Sequence, residues 1–386
     1  MRQLGQVARI VTGKTPSTKD DRFWNGEVPF VTPSDIGDSP WCDTVDRHLS
    51  PLGASTVSTA PAGAVLFTCI ASIGKSCILS ATSAFNQQIN ACIPGHLIDS
   101  YFLYSQLQGM SDEIRQLAGT TAVPIINKST FSAILINLPP LDEQRRIAEV
   151  LRSVDEAIAA AVEVEAGARQ AYRNVASRLL GSPTETLPDG WREVSLSDCL
   201  ADFRNGWTYD TRASDGTLPI TRIETISSGN IDYDRIGLAQ ADTRIEAFKL
   251  VRDDILFSHI NSVEHIAKVA IKEDDRLLYH GMNLMRLRSN ETVAARFLLA
   301  RLQSDETRAH FRSVCKRAVN QASLNKAEIG SYRFNLPPLD EQQHIAEVLG
   351  SANAAVFGAA QAIQRLRKTK ADLLSDLLSG RVRVPA

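Results

Sequence analysis

One fifteen-residue stretch occurs twice in this chain, and it constrains the fold more than any other feature. Residues 137–151 read NLPPLDEQRRIAEVL and residues 335–349 read NLPPLDEQQHIAEVL, which makes thirteen positions identical at a spacing of 198 residues. A repeat this faithful indicates that one structural unit is present twice. The length of 386 residues leaves room for two units, each with a core of its own.

Each copy of the repeat has the sequence of a helix start. A pair of prolines, at 139–140 and 337–338, disfavours helix in the residues before it. Two acidic residues follow each pair, at 142–143 and 340–341, where a helix dipole favours negative charge. We therefore predict that a helix begins directly after each proline pair.

The sequence after each start has the period of a coiled coil. Uncharged residues recur at alternating steps of four and three over 147–179 and over 345–377, and one charge interrupts each series, Glu165 in the first and Lys370 in the second. A sustained 3.5-residue repeat is typical of helices that pair along a seam. Each helix is expected to run for about 40 residues, or roughly 60 Å, and to stop at the glycine that follows.

The segments in front of the helices share a plan although their letters differ. GEVPFVTPSDI at 26–36 aligns with GTLPITRIETI at 216–226, and VLFTCIASI at 65–73 aligns with ILFSHINSV at 255–263. Short β-branched and aromatic runs between Gly, Pro, Asn and Asp predict strands and turns.

Helices are expected around 101–117 and 295–312, so the fold class is α+β, with two globular domains that are each followed by a long helix. The predicted segments are domain one at 1–136, helix one at 137–182, domain two at 183–334 and helix two at 335–386.

Composition excludes several classes of protein. No run of eighteen non-polar residues and no charged-then-apolar leader is present, so we expect neither a membrane span nor a secretory signal, and we expect the cytoplasm as the location. The six cysteines lack any Cys-x-x-Cys spacing, which favours reduced core thiols over zinc or disulfides. Lys and Arg number 9 against 10 Asp and Glu in residues 1–136, and 21 against 22 in residues 183–334, so a basic surface requires charges segregated in space.

Catalytic motifs fail when they are tested. GKT at 13–15 and GKS at 74–76 lack the glycine that a phosphate-binding loop needs five residues earlier, where Ala8 and Cys69 stand. The acidic pairs of the repeat are explained by their position at a helix start, and the histidines are dispersed, with His259 and His265 expected in turns or at the surface. We predict no catalytic residue and no metal site.

Two polar loops in each domain are the candidates for DNA contact. They combine hydroxyls, cations and amides, which suit phosphate oxygens and base edges. The first loop supplies Lys14, Thr15, Ser17 and Lys19 in domain one, and Arg204, Asn205 and Tyr209 in domain two. The second loop supplies Asn127 and Lys128 in domain one, and Lys316, Arg317, Asn320, Gln321, Asn325 and Lys326 in domain two. The alternative for any one of these residues is a solvated turn.

The duplicated PPLDEQ-x-x-IAEVL run that opens a long helix resembles the specificity subunit of type I restriction-modification enzymes. The GKTPS loop followed by WNGEVPFVTPSDI is similar to the start of that family's target recognition domain. The resemblance implies that 1–136 and 183–334 are two target recognition domains, each reading half of a split DNA sequence. It also implies that the two helices pack as an antiparallel coiled coil that acts as a ruler.

The resemblance further implies partners and a division of labour. This chain would be a non-catalytic subunit that binds double-stranded DNA and docks two modification (methyltransferase) subunits, together with two restriction subunits where the complex also cleaves DNA. It would hold no cofactor, because S-adenosylmethionine, ATP and magnesium would belong to those partners. The alternative function is a coiled-coil scaffold of the same complex that does not read DNA.

Overall fold

The structure is a computed structural model, and it describes residues 1–119, 123–181, 187–209, 216–318 and 321–384. Contacts divide the chain into two compact units, Met1–Val164 with Ala359–Ala386 and Glu165–Gly358. Each unit therefore contains one globular domain together with a part of each long helix. The four predicted segments describe the order of the chain, whereas these units describe its packing.

The first half of the chain contains the strands β1 (Arg2–Gln3), β2 (Ala8–Thr12), β3 (Trp24–Val31), β4 (Trp41–Cys42), β5 (His48–Leu49), β6 (Thr59–Ala60), β7 (Val65–Thr68), β8 (Ser76–Leu79), β9 (Ser83–Phe85), β10 (Ile89–Pro94) and β11 (Leu135–Ile136). Its helices are α1 (Leu4–Val7), α2 (Pro51–Ser55), α3 (Ser100–Gly109), α4 (Ser111–Gln116), α5 (Lys128–Ser132) and α6 (Leu141–Leu180), with a 3-10 helix at Asp21–Phe23.

The second half contains the strands β12 (Arg192–Ser195), β13 (Leu200–Asn205), β14 (Leu218–Ile220), β15 (Gly237–Ala239), β16 (Ile255–Phe257), β17 (Ile260–Asn261), β18 (Val269–Ile271), β19 (Met285–Ser289), β20 (Lys316–Ala318), β21 (Gln321–Ser323) and β22 (Arg333–Leu336). Its helices are α7 (Ala295–Gln303), α8 (Asp305–Val314), α9 (Lys326–Gly330) and α10 (Leu339–Leu378), with 3-10 helices at Leu196–Cys199, Ile223–Ile226, Tyr233–Arg235 and Thr243–Phe248.

The central sheets of the two domains share one strand order. The first domain has β2-β10-β7-β8-β4 and the second has β13-β19-β16-β18, so the first four strands correspond one to one. Within those four strands, neighbours pair antiparallel in both domains. The common plan expected from the diverged sequences is therefore present, and the fold class is confirmed.

A short ribbon joins the start of each domain to its end. Strand β1 pairs antiparallel with β11, and β12 pairs antiparallel with β22. Strand β11 ends shortly before its proline pair and β22 ends directly before its own, so the chain leaves each domain beside the place where it entered and begins a long helix there.

The two long helices have the predicted length and seam. Both α6 and α10 contain 40 residues, and a glycine with positive φ follows each, Gly181 at 66° and Gly380 at 73°. All twenty predicted seam positions are buried or half-buried. Burial of this stripe in the core of each unit stabilises helices that would leave it exposed if they were alone.

The helix segments within the first unit run antiparallel. The Asn137 side-chain amide donates to the carbonyl oxygen of Leu378 at 3.0 Å, and the Lys370 ammonium lies 2.7 Å from the Asp155 carboxylate. Since the number rises along one segment while it falls along the other, the two segments have opposite directions. In the second unit, Leu180 at the end of α6 and Ile345 near the start of α10 belong to one hydrophobic core.

A buried glutamine of the repeat fixes each domain to its helix. Gln144 accepts the Asp99 N–H at 3.0 Å and donates to the carbonyls of Leu97 and Pro139 at 3.0 and 2.8 Å. Both this glutamine and its repeat counterpart, Gln342, are 1% exposed.

Gln342 makes the same three bonds in the second unit. It accepts the Ala294 N–H at 2.8 Å and donates to the carbonyls of Thr292 and Pro337 at 3.1 and 2.8 Å. The same joint between domain and helix is formed in both units, which is one reason why the two copies of the repeat need the same residues.

Each of the two shorter predicted helices is in fact two helices. The segment expected at 101–117 breaks at Met110 between α3 and α4, and the segment expected at 295–312 breaks at Ser304 between α7 and α8. The reason is clear at Ser304, whose extended backbone ends α7 and whose hydroxyl accepts the Thr307 N–H to cap α8.

All six cysteines are buried and free, as predicted. Across the described ranges, no helix combines the length and the apolar character that crossing a membrane requires.

Candidate nucleic-acid interface

The first polar loop lies at the end of β2, where a glycine lets it approach the neighbouring turn. The Gly13 and Lys14 N–H groups donate to the carbonyls of Ile89 and Phe85, both at 3.0 Å. A Cβ on Gly13 would lie 2.1 Å from the Asn86 carbonyl oxygen, so only glycine fits. The loop is therefore fixed by its backbone, which leaves its side chains available to a ligand.

Three of its four candidate residues are fully exposed. Lys14, Ser17 and Lys19 are exposed. Thr15 is half-buried, and its hydroxyl donates to the side-chain Oε1 of Gln87 at 2.6 Å. Gln87 is itself exposed on the turn between β9 and β10. Sequence reasoning missed this glutamine, although the polar run at 86–88 between two strands was a signal for it.

A polar cleft beside this loop holds an arginine that the sequence did not single out. The cleft has a volume of about 390 Å³ and is lined by Thr18, Asp21, Trp24, Asn25, Gly26, Asp46, Arg47 and His48. The Trp24 indole N–H donates to the Ser17 carbonyl at 3.0 Å, which ties the cleft to the loop.

Arg47 is held in that cleft by stacking. Its guanidinium carbon lies 3.6 Å from the centroid of the Trp24 ring, and no described carboxylate pairs with it. An exposed guanidinium that is oriented by an aromatic ring keeps its planar fork of donors for phosphate or for guanine. An isolated arginine in a turn has no signal in a single sequence, because the stacking partner is far along the chain.

The corresponding loop of the second domain is held in the same manner. The backbone N–H of Trp207 donates to the His280 carbonyl at 2.7 Å. A Cβ on Gly206 would lie 2.2 Å from the Gly281 carbonyl oxygen. Asn205 is exposed and Tyr209 is half-buried, and burial raises the pKa of the Tyr209 phenol.

Arg204, in contrast, already has an anionic partner. Its Nε lies 2.6 Å from the Asp202 carboxylate, which also binds the buried Arg286. Burial acts to raise the pKa of Asp202, but hydrogen bonds from the two guanidiniums outweigh it and hold that pKa below its usual value. Arg204 therefore belongs to an internal ion network, and its free donors are fewer than those of Arg47.

The second polar loop of the second domain is a hairpin. Strands β20 and β21 pair antiparallel and expose Lys316, Arg317 and Gln321, while Asn320 lies outside the described residues. Lys316 lies 3.7 Å from Glu328 and is 74% exposed. The Arg317 guanidinium donates to the Arg312 carbonyl at 3.4 Å.

The Asn-Lys pairs at the 198-residue spacing begin short helices in both domains. The side-chain Oδ1 of Asn127 accepts the Thr130 N–H to cap α5, and the side-chain Oδ1 of Asn325 accepts the Glu328 N–H to cap α9, both at 2.8 Å. Capping gives these asparagines a structural role, and their NH2 groups are left for other contacts. Lys128 is exposed, and the Lys326 ammonium lies 5.1 Å from the Phe203 ring centroid.

A group of cations on and beside α8 was also missed by sequence reasoning. Arg308 is half-buried, and burial, together with the nearby guanidiniums of Arg312 and Arg169, lowers its pKa against the opposing effect of Asp305. The Arg312 guanidinium donates to the Glu264 carbonyl at 3.0 Å. Like charges gathered in one place favour the binding of an anion such as phosphate.

His259 was expected in a turn or at the surface, and it lies in the connection between two strands but is buried there. This side chain is 5% exposed, its Nδ1 has no hydrogen-bond partner within the described part of the chain, and burial lowers its pKa to about 4. The residue follows β16 at the edge of the core, where the chain turns into β17. His265 is exposed. Over the ranges the structure describes, no three His, Cys, Asp or Glu side chains form a group that could hold a metal ion.

Some residues that are identical in the two copies of the repeat do not contribute to the hydrophobic cores. Asp142 and Glu149 of the first copy, and Asp340 and Glu347 of the second, are exposed on the first turns of their helices. The cores use the buried letters between them, such as Ile147 and its counterpart. Identical exposed acidic residues indicate an additional requirement outside the units' own packing.

Comparison with known proteins yields one consistent family. A family model described as the type I restriction modification DNA specificity domain matches residues 1–165 and 188–355. The MjaX specificity subunit of Methanocaldococcus jannaschii is 38% identical over 197 residues, which are 50% of this chain and 46% of that protein. The chain thus spans about half the length of this relative.

A second relative and two solved structures match over more of the chain. The MjaVIII type I restriction enzyme specificity subunit of the same organism is 21% identical over 407 aligned positions, which cover 99% of this chain and 92% of that protein. The S subunit of the type I restriction-modification system of M. genitalium has a TM-score of 0.62 at 14% identity, and covers 98% of this chain and 95% of its own. A chain from a type I R-M system studied for complex assembly and conformational transition has a TM-score of 0.58 at 17% identity, with 99% and 97% covered.

Proposed function

The chain belongs to the family of type I restriction modification DNA specificity proteins, and from this premise we propose that it is a non-catalytic subunit that recognises a two-part DNA target. Each domain would read one half of the target, and the helices would set the distance between the halves. The observation that supports this most directly is the joint at Gln144 and Gln342. The same hydrogen bonds attach each domain to its helix, although the polar loops of the two domains differ.

Reading would use the exposed loop side chains of each domain. In the first domain these are the loop at 14–19 and Arg47, and in the second they are Asn205 and the hairpin that contains Lys316 and Gln321. Amide and guanidinium groups are suited to base edges, whereas the lysines and hydroxyls are suited to phosphate oxygens. Different loops on a common plan would let the two half-sequences differ.

Partner subunits would dock at the start of each long helix. The two copies expose the same pair of carboxylates, Asp142 with Glu149 and Asp340 with Glu347, so two copies of one partner with cations at matching positions would fit. Between these carboxylates the copies differ, with two arginines at 145–146 and Gln-His at 343–344. We propose that these partners are modification subunits. S-adenosylmethionine, and ATP and magnesium in a complex that also cleaves DNA, would be bound by partner subunits.

A loop replacement tests whether this chain reads DNA. In a complex assembled with the modification subunit, Lys316→Ser, Arg317→Ser and Gln321→Ser together should abolish methylation of the target while the complex still elutes intact. The matched control, Arg252→Ser with Arg296→Ser, also removes two exposed cations and should keep activity. Unchanged target methylation by the loop variant would favour the scaffold that does not read DNA.

A further inference from the structure

A buried ion pair joins the two long helices in the first unit. The Lys370 ammonium lies 2.7 Å from the Asp155 carboxylate, and the two side chains are 12% and 8% exposed. The Tyr101 hydroxyl donates to the same carboxylate at 2.7 Å. The ammonium also lies 5.8 Å from the Tyr104 ring centroid, so the domain supports both charges.

The second unit lacks these charges at the equivalent positions. The 198-residue spacing of the repeat relates Asp155 to Asn353 and Lys370 to Tyr172. Asn353 is exposed, and Tyr172 packs against the hydrophobic core of that unit. The helices are therefore nearly interchangeable in length and in their first residues, but they differ in charge at this level of the seam. They also differ at Glu165, which corresponds to Ile363.

The domain side of the ion pair differs as well. The Asp99 and Ala294 N–H groups bind the equivalent glutamines, which relates Tyr101 to Arg296 two residues later. A lysine of the seam thus lies near the Tyr104 ring in the first unit, whereas in a second-domain environment the position of Tyr101 would be occupied by an arginine.

We propose that the Asp155–Lys370 pair makes the seam selective, so that α6 pairs with α10 and not with a second α6, and α10 does not pair with a second α10. In two copies of α6 at the same register, Asp155 would face Tyr172 and lose its cation. In two copies of α10, Lys370 would face Asn353, beside Arg296. A buried charge without its partner is strongly disfavoured, and one polar pair at a seam position is sufficient to set partner and register.

The repeat itself creates the need for such a device. Two helices of 40 residues with the same opening sequence also fit copies of themselves, and this would join two identical domains. A pair that is satisfied only between unlike helices disfavours that outcome without changing the shared letters.

The test uses the full chain, cut after folding. A protease site is inserted after Ser182 in the native sequence and in the charge-swapped variant Asp155→Lys/Lys370→Asp. The two cut proteins are mixed, the halves are allowed to exchange in mild denaturant, and native mass spectrometry counts the pairs. Selective pairing predicts that native halves pair with native halves and swapped with swapped, with mixed pairs depleted by about tenfold or more. Mixed pairs at half of the total would overturn the proposal.

A matched control and a second variant keep the test decisive. The exposed pair Arg367–Asp38, at 46% and 90% exposure, is swapped in the same way and should give statistical mixing. If the swapped seam variant does not fold, the neutral variant Asp155→Asn/Lys370→Gln replaces it. This variant should form pairs of like halves that the cut native protein does not form, and the same composition in both would overturn the proposal.

Discussion

At the scale of single residues, the glutamine that both copies of the repeat contain explains one part of their sequence identity, because it attaches each domain to its helix. Gln144 and Gln342 are buried, and each satisfies one N–H and two carbonyl groups for which the described residues provide no other hydrogen-bond partner. A side chain that satisfies three backbone groups at once is difficult to replace, because its loss leaves them buried and unpaired.

We expect Gln342→Leu to lower the free energy of unfolding by about 1–3 kcal/mol, since leucine fills the space but pairs with none of the three groups. Urea unfolding followed by circular dichroism measures the change. Gln343→Leu, at the exposed neighbouring position, is the control and should change stability by less than about 0.5 kcal/mol. Equal stability of both variants would mean that the joint is held by the hydrophobic contacts alone.

Acid sensitivity is expected from His280. This histidine is fully buried, its Nε2 lies 2.9 Å from the Leu284 carbonyl oxygen, and burial lowers its pKa to about 4. An unfolded histidine titrates near 6.5, so the unfolded state takes up the proton first as the pH falls. The stability contributed by the neutral ring is therefore complete above pH 6.5 and is lost progressively towards pH 4, by about 3 kcal/mol.

His280→Gln should reduce the dependence of unfolding free energy on pH between 6.5 and 4, even if it lowers stability overall. The buried His259, whose pKa is also lowered to about 4, should keep a part of that dependence. Urea unfolding across that range measures the slope. His265→Gln, at an exposed histidine, should leave the slope unchanged. A slope in His280→Gln equal to that of the native protein would show that other groups dominate.

Residues of this kind mark the limit of what the sequence predicted. The burial of Ile147 and Leu151 follows from a period, whereas Asn127 was expected only in a polar loop and its capping of a short helix was not foreseen. Arg47 and His259 have no such signal, since one depends on an indole 23 residues earlier in the chain and the other on burial by distant segments.

At the scale of elements, the long helices were predictable because their signals are local and repeated. The proline pairs, the acidic first turn, the 3.5-residue period and the final glycine together specified both 40-residue helices. The strand order of the sheets was not predictable, because pairing between β2 and β10 depends on contacts between residues that are far apart in sequence.

Lengthening both helices together tests whether they set the spacing of the target. We propose to insert seven residues after Ala160 in α6 and seven after Gln364 in α10, which keeps the 3.5-residue period and adds about 10 Å. At 3.4 Å per base pair, the gap between the half-sequences should grow by about three base pairs. Methylation mapping of the assembled complex measures this gap.

An insertion in α6 alone is the control, and it should disrupt pairing because the Asp155 level and the repeat would no longer match across the seam. A changed half-sequence in the matched variant, or an unchanged gap in an active complex, would contradict the role of the helices as a spacer.

At the scale of the whole molecule, the near-neutral charge limits how the proposed DNA binding would be organised. A formal charge of −2 gives little general attraction to phosphate, so recognition requires local cations and the help of partners. The cations on and beside α8, and Arg47 in the first domain, are local features of this kind. The exposed carboxylates that the two copies share, at 142 and 149 and at 340 and 347, are suited to a basic partner that would add the missing positive charge.

The most direct measurement is the genome-wide mapping of methyladenine in cells that express this chain with the modification subunit proposed as its partner. The account predicts one motif made of two specified half-sequences separated by a gap of fixed length. Exchange of the first domain for that of a relative should change one half-sequence only. A continuous motif, or no methylation from a complex that assembles, would contradict the reading of DNA by two separate domains.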